Sequence, residues 1–292
     1  MSTPTRVAAF VAGLAAVFGV AFAVGASAGP LDATPQEPAA HAGMTAEPEH
    51  GGSMGGGHDD GVPGGLMVSR HGYTLALDHT TLPAGPARPV SFVVRGPEGR
   101  PLTTYDVEHA KRLHLVAVRR DFSGFQHVHP VLGADGRWRT NLDLTPGPWR
   151  VFADFTPSGA DGLTLGADLT VPGRYRPAGD GTTSTTSRVD GYTVTMRGRL
   201  TAGEHTMLGF DVTRDGAPVT DLQPYLGAYG HLVALRAGDL AYLHVHPDDA
   251  KPEPGPRIGF GAEVPSAGTY HLYLDFKHHG VVRTATFTVR AR

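Results

Sequence analysis

The stretch Tyr270-His271-Leu272-Tyr273-Leu274-Asp275-Phe276-Lys277 sets Tyr270, Leu272, Leu274 and Phe276 in alternation with His271, Tyr273, Asp275 and Lys277. Side chains two apart on a strand share a face, so this segment presents one apolar face to a core and turns the other away from it. Val90, Phe92 and Val94 alternate in the same way, as do Phe287 and Val289. Forty glycines and 24 prolines in 292 residues exceed the usual combined share of roughly 12%, and turn residues interrupt the runs about every ten residues. This pattern excludes long helices and predicts an all-β chain built from sandwiches of about seven strands.

The pattern occurs twice. Gly99 to Pro130 recurs without a gap as Gly216 to Pro247, and the correspondence extends outward on both sides. Gly72-Tyr73-Thr74 matches Gly191-Tyr192-Thr193, and Pro146-Gly147-x-Trp149 matches Ala267-Gly268-x-Tyr270, with Asp154-Phe155 and Asp275-Phe276 closing the two copies. The copies differ mainly in the loop after His-Pro, which is longer in the second and contains Asp248 to Pro256. Ala-Gly-x-Tyr leading into an alternating strand resembles the late strand of immunoglobulin-type folds, although this chain has no cysteine pair. Two tandem immunoglobulin-like β-sandwiches are therefore expected, at 66–173 and 189–292. A Gly-, Thr- and Ser-rich linker at 174–188 joins them.

Both copies carry His-x12-His-x-His-Pro: His114, His127, His129 and Pro130 in the first, His231, His244, His246 and Pro247 in the second. Packing gives no reason to hold three imidazoles in one register; metal coordination does. His127 and His129 share a strand face, and an even-length turn near Arg120-Asp121 places His114 on the same face, opposite His127 or its neighbour. A turn at Ala237-Gly238 does the same for His231, His244 and His246. Directly opposed Cβ atoms lie about 4.5–5.5 Å apart, close enough for imidazoles to converge on one ion. Three neutral nitrogens suit Cu(II) or Zn(II), and copper is preferred by intrinsic affinity. Asp154 and Asp275 are equivalent candidates for a fourth ligand, and His271, His278 and His279 are weaker candidates present only in the second copy. The competing reading has each imidazole closing its hairpin on main-chain carbonyls. His71, His79, His109 and His205 are read as hydrogen-bonded structural residues.

The amino terminus reads as an export segment. Arg6 precedes an apolar run from Val7 to Val24, and Ala26-Ser27-Ala28 follows. Residues 1–28 are therefore expected to be either a cleaved signal peptide or a single-pass membrane anchor, and both place the rest outside the cytoplasm. Residues 29–65 have the composition of a flexible tail, with His41, Met44, His50, Met54 and His58 as further candidates for metal capture. A formal charge of -3 and no basic stripe argue against nucleic acid. The absence of cysteine excludes disulfides, thiolate zinc sites and blue-copper centres.

At His114-Leu115-Val116-Ala117-Val118 and Phe125-Gln126-His127-Val128-His129-Pro130 the chain resembles bacterial exported β-sandwich proteins related to YtkA-like and heavy-metal-handling accessory domains. That resemblance spans roughly Met67 to Arg292. It implies extracytoplasmic handling of a metal, copper above all; a metal-binding module of this kind is expected to hold the ion until transfer to a partner such as a membrane metal transporter. The His-x-His pair is also similar to the copper ligands of Cu/Zn superoxide dismutase, but no second His/Asp cluster supplies a zinc half. No serine elbow or cysteine nucleophile is present, so no enzyme is expected. The alternative from another class is a non-metal structural or interaction protein that displays the two sandwiches at the cell surface.

Overall fold

The structure is a computed structural model that describes residues 62–179, 181–248 and 253–292. The expected export segment at 1–28 and the candidate tail residues His41, Met44, His50, Met54 and His58 lie outside the described residues. Among the described residues no helix is long and apolar enough to cross a membrane.

The chain is all-β and folds as two immunoglobulin-like sandwiches. The first repeat contains β1 (Ser69–Arg70), β2 (Tyr73–Leu77), β3 (Gly85–Arg95), β4 (His114–Arg119), β5 (Gln126–Val128), β6 (Val131–Leu132), β7 (Trp138–Leu144), β8 (Gly147–Phe155) and β9 (Leu163–Val171). The second contains β10 (Thr186–Val189), β11 (Tyr192–Arg197), β12 (His205–Arg214), β13 (Ala217–Pro218), β14 (Gly230–Arg236), β15 (Val245–Pro247), β16 (Arg257–Glu263), β17 (Gly268–His278) and β18 (Val281–Ala291). In the first sandwich the sheet β1-β2-β3-β7-β6 covers the sheet β5-β4-β8-β9. In the second, β10-β11-β12-β16-β15 covers β14-β17-β18.

The expected alternation supplies each core. Phe92, Val94, Leu115, Trp149 and Leu165 fill the first, and Phe210, Phe260, Leu272, Leu274 and Phe287 fill the second. Two boundaries move inward. Gly64, expected in the tail, bridges Tyr242, and the Gly65 carbonyl accepts from the buried Arg150 guanidinium at 2.6 Å. β10 begins at Thr186, inside the expected linker, because Ser184 already pairs with Thr288.

A third apolar cluster lies between the sandwiches. In β4 and β14 the burial is unbroken rather than alternating, the mark of strands covered on both faces. Leu115 and Ala117 face the first core, while Val116 and Val118 face outward and meet Val233 and Leu235 of β14, with Phe152 and Tyr273 beside them. Phe125 stacks on Tyr273 with ring centres 3.9 Å apart, Phe122 stacks on His271 at 3.8 Å, and the Tyr273 hydroxyl donates to the Phe122 carbonyl at 2.6 Å. The sheets that carry the candidate histidines thus pack face to face.

Phe152 is fully buried in this seam, so Phe152→Ala is expected to cost about 3–5 kcal/mol and to loosen the coupling of the two repeats. Both tryptophans, Trp138 and Trp149, belong to the first repeat. Their fluorescence and far-UV circular dichroism should give coincident unfolding transitions in the parent protein and separated ones in Phe152→Ala.

Candidate metal centre in the seam

His114 opens β4 on its outward face, in line with Val116 and Val118. Across the hairpin Val116 opposes His127 and Leu115 opposes Val128, so His127 shares that face. Continued by one residue, the register sets His129 opposite His114. On the other side His114 is opposed by Asp154 of β8. The second repeat carries the same row, His231 of β14 opposite Asp275 of β17. The two His-Asp rows stand at one end of the seam, where the apolar contacts stop.

The first trio converges. His114 Nδ1 lies 3.1 Å from His127 Nε2 and 3.2 Å from His129 Nε2, and the three ring centres are 5.0–5.3 Å apart. Nitrogens bound at about 2.0–2.1 Å to one tetrahedral ion lie about 3.3 Å from each other, which this arrangement approaches.

The outer nitrogens fix the tautomers. His127 Nδ1 is 2.9 Å from Asp275 Oδ2, and the other oxygen of that carboxylate accepts from the Thr284 hydroxyl at 2.6 Å. An acceptor on that side makes Nδ1 the donor and leaves Nε2 of a neutral ring bare. His114 Nε2 lies 3.2 Å from the Glu108 carbonyl, which only accepts, so Nδ1 is bare as well. Two lone pairs then face each other across 3.1 Å, an arrangement that calls for a positive charge between them: a proton or a metal ion. A carboxylate behind a ligating imidazole is the usual support of a metal-bound histidine, and here it comes from the other repeat. The His127 and Asp275 side chains are only 4% and 6% exposed.

Further imidazoles border the trio. The buried His231 ring is 6.0 Å from both His114 and His127, and its Nε2 has no hydrogen-bond partner among the described residues. His109 stands 5.1 Å from His231 and 6.2 Å from His114, and Tyr225 stands 5.9 Å from His231. Burial, reinforced by the crowding of imidazoles, lowers His114 to about 4 and His129 and His231 to about 3. These three rings are therefore neutral at pH 7, the form that binds metal.

Several expectations need correction. The second trio does not assemble. β15 leaves β14 and pairs with β16, and His244 and His246 lie exposed on the far sheet while His231 stays in the seam. In the first repeat β5 stays paired with β4, and the Gln126 side chain bonds both backbone groups of Asp143 in β7 of the opposite sheet. The equivalent Leu243 is buried in the second core, and the chain crosses to β16 from Val245 onward. Neither aspartate joins the three nitrogens as a ligand: Asp275 bonds the back of His127, while Asp154 accepts from Thr164 at 2.8 Å and its carboxyl is pushed up by burial. His271 packs on Phe122 and bonds Thr288. His278 spends both nitrogens, one on the Tyr192 hydroxyl at 2.7 Å and one on Asp221 at 2.9 Å, and His279 Nδ1 accepts from Arg214. These two form a group with Asp221 that does not include His231.

Of the four structural assignments, His71, His79, His109 and His205 are all exposed, and His109 borders the centre. The gap-free repeat held the clue to it. Glu108-His109 aligns with Tyr225-Leu226, and the two tips are closed by equivalent bridges, Glu108 to Lys111 and Tyr225 to Ala228. Both tips lean over the same end of the seam.

The unfolded chain protonates its histidines near pH 6.5, whereas these three rings stay neutral in the fold down to about 4 and about 3. The unfolded state then binds more protons, so metal-free stability is full above about pH 6.5 and falls below it, by up to about 1.4 kcal/mol per pH unit for each ring. Denaturant titrations of the metal-free protein at about pH 7 and about pH 5 should show this loss. It should be smaller in His114→Ala/His129→Ala.

Comparison with solved structures returns matches at low similarity. They include the Escherichia coli adhesin FdeC (17% identity over 77% of this chain and 65% of that chain, TM-score 0.26) and the Yersinia pseudotuberculosis adhesin InvE (12%, 76% and 59%, 0.24). A Salmonella alpha-2-macroglobulin mutant is also returned (13%, 78% and 15%, 0.26). The present chain thus spans less than two thirds of each of these. No curated protein matches the sequence. The family described as a domain of unknown function, DUF8832, matches twice, over residues 68–173 and 187–292. Together these matches cover most of the chain and coincide with the two sandwiches, so the chain belongs to the DUF8832 family, as a tandem pair of its domains.

Proposed function

We propose that this is an extracytoplasmic metal-binding protein that holds one transition-metal ion in the seam between its repeats, for sequestration or for transfer to a membrane metal transporter. Copper is the preferred ion by the affinity order for imidazole sites, with zinc the alternative. One observation carries the reading: the bare nitrogens of His114 and His127 face each other at 3.1 Å while their outer nitrogens are bonded to Glu108 and Asp275. His114, His127 and His129 would hold the ion. Asp275 would orient His127, and the buried, unpartnered His231 Nε2 is the nearest further donor. The export segment supports the placement outside the cytoplasm, and the resemblance to YtkA-like domains accords with metal handling there.

A second reading keeps the fold and omits the ion: a structural or interaction protein displaying its immunoglobulin-like sandwiches at the cell surface, as adhesins do. It is favoured by the His127–Asp275 contact itself, a direct bond between side chains of the two repeats. On that reading the imidazoles are a hydrogen-bonded clasp.

Thermal unfolding with and without Cu(II) or Zn(II) separates the two. For the metal site, an ion at about 100 times its Kd adds about 2.7 kcal/mol to the parent protein. His127→Ala/His129→Ala abolishes this gain, and Asp275→Asn weakens affinity by about 10- to 100-fold. For the clasp, no ion raises the parent's Tm, and the same variants lower it equally with and without metal.

A further inference from the structure

The crossover that removes His244 and His246 from the seam brings them to a second place. Across β12, β16 and β15 the register aligns His205 with Glu263, Met207 with Gly261, and Gly261 with His246. His244 lies one step further along β15, where the Glu263 amide donates to its carbonyl at 3.2 Å. Residues two apart share a face, so His205, Met207, His244, His246 and Glu263 all stand on the outer face of this sheet. That face is open to solvent: all four polar residues are exposed, and Met207 is 51% exposed.

At the middle of the group Gly261 has no side chain, and its neighbours lean into the gap. A methyl group on Gly261 would lie 2.6 Å from His205 Nε2 and 3.7 Å from Met207 Sδ. From the other side His244 and His246 turn their Nε2 atoms toward each other, with ring centres 3.9 Å apart at 86°. Glu263 stands between His205 on β12 and His244 beside β15. An exposed methionine gains little by packing, whereas a thioether beside imidazoles is a soft donor set suited to Cu(I).

We propose that His205 and Met207 on one side of Gly261 and His244 and His246 on the other, with Glu263 at the rim, form a solvent-facing copper site distinct from the centre in the seam. It goes beyond the function proposed above and does not depend on it, since the two sites share no residue. Open on one side and carrying a thioether, it suits capture and exchange of Cu(I), whereas the seam suits retention.

The test uses the full chain, titrated with Cu(I) and separately with Zn(II) against a competing chromophoric chelator. Each variant is read as a difference from the parent, because the histidines and methionines before residue 62 are present in all of them. His244→Ala/His246→Ala should lose one equivalent of Cu(I), with the far-UV spectrum unchanged because the side chains are exposed. Met207→Leu should weaken Cu(I) at this site by at least about tenfold and leave Zn(II) within about twofold. His127→Ala/His129→Ala should retain the site. Unchanged Cu(I) stoichiometry in His244→Ala/His246→Ala, or equal effects of Met207→Leu on both ions, would overturn the proposal. Failure of the seam reading appears separately, as an unaltered parent-like titration in His127→Ala/His129→Ala.

Discussion

Everything at the candidate centre depends on one contact across the seam: His127 of the first repeat bonded to Asp275 of the second, with both side chains nearly dry. That contact sets the direction in which His127 presents its free nitrogen and requires the two sheets to stay in register. The register is held by packing. Val116 and Val118 against Val233 and Leu235, with Phe152 and Tyr273 alongside, remove apolar surface from water on faces that a lone sandwich would expose. The polar row can be buried at the end of this packing because each member has a partner: Asp154 with Thr164, Asp275 with Thr284 and His127, His114 with Glu108. His231 Nε2 is the exception, and it lies at the trio's edge.

The duplication produced halves that are alike in topology and unlike in use. The rows His114–Asp154 and His231–Asp275 are equivalent, and so are the tips Glu108–Lys111 and Tyr225–Ala228. The departure comes at Gln126 and Leu243. In the first repeat β5 stays paired with β4 while its Gln126 side chain bonds β7 of the opposite sheet, whereas in the second Leu243 sinks into the core and the chain itself crosses to β16. The choice of partner strand thus separates a closed histidine cluster from an open one.

Much of this was legible in the sequence. Alternation at Tyr270–Lys277 gave the strand and its core face, the repeat gave two sandwiches, and strand parity placed His114, His127 and His129 on one face. Parity also put Asp275 opposite Phe276, although it did not identify that side as the histidine face. Pairing between sheets was not legible, because the pattern His-x12-His-x-His is identical in both copies and periodicity says nothing about which neighbour a short strand chooses. The unbroken apolar runs Leu115–Val118 and Leu232–Leu235 carried a signal for strands buried on both faces, and with it a seam. His109 lay outside the repeated pattern because its counterpart is Leu226. The surface group around Gly261 draws on three strands, with His205 and His244 far apart in sequence, so only tertiary pairing assembles it.

The seam also bears on how far the protein can be divided. A single repeat expressed alone would expose the outer faces of β4 and β8, a strip of Val116, Val118 and Phe152, to water. Such a strip invites self-association, and two identical first repeats meeting there would juxtapose His127 with Asp154 where the intact chain supplies Asp275. Dissected halves would therefore be expected to pair with themselves. The indivisible unit for the interior centre is then the two-domain chain, with one buried cluster shared by two domains.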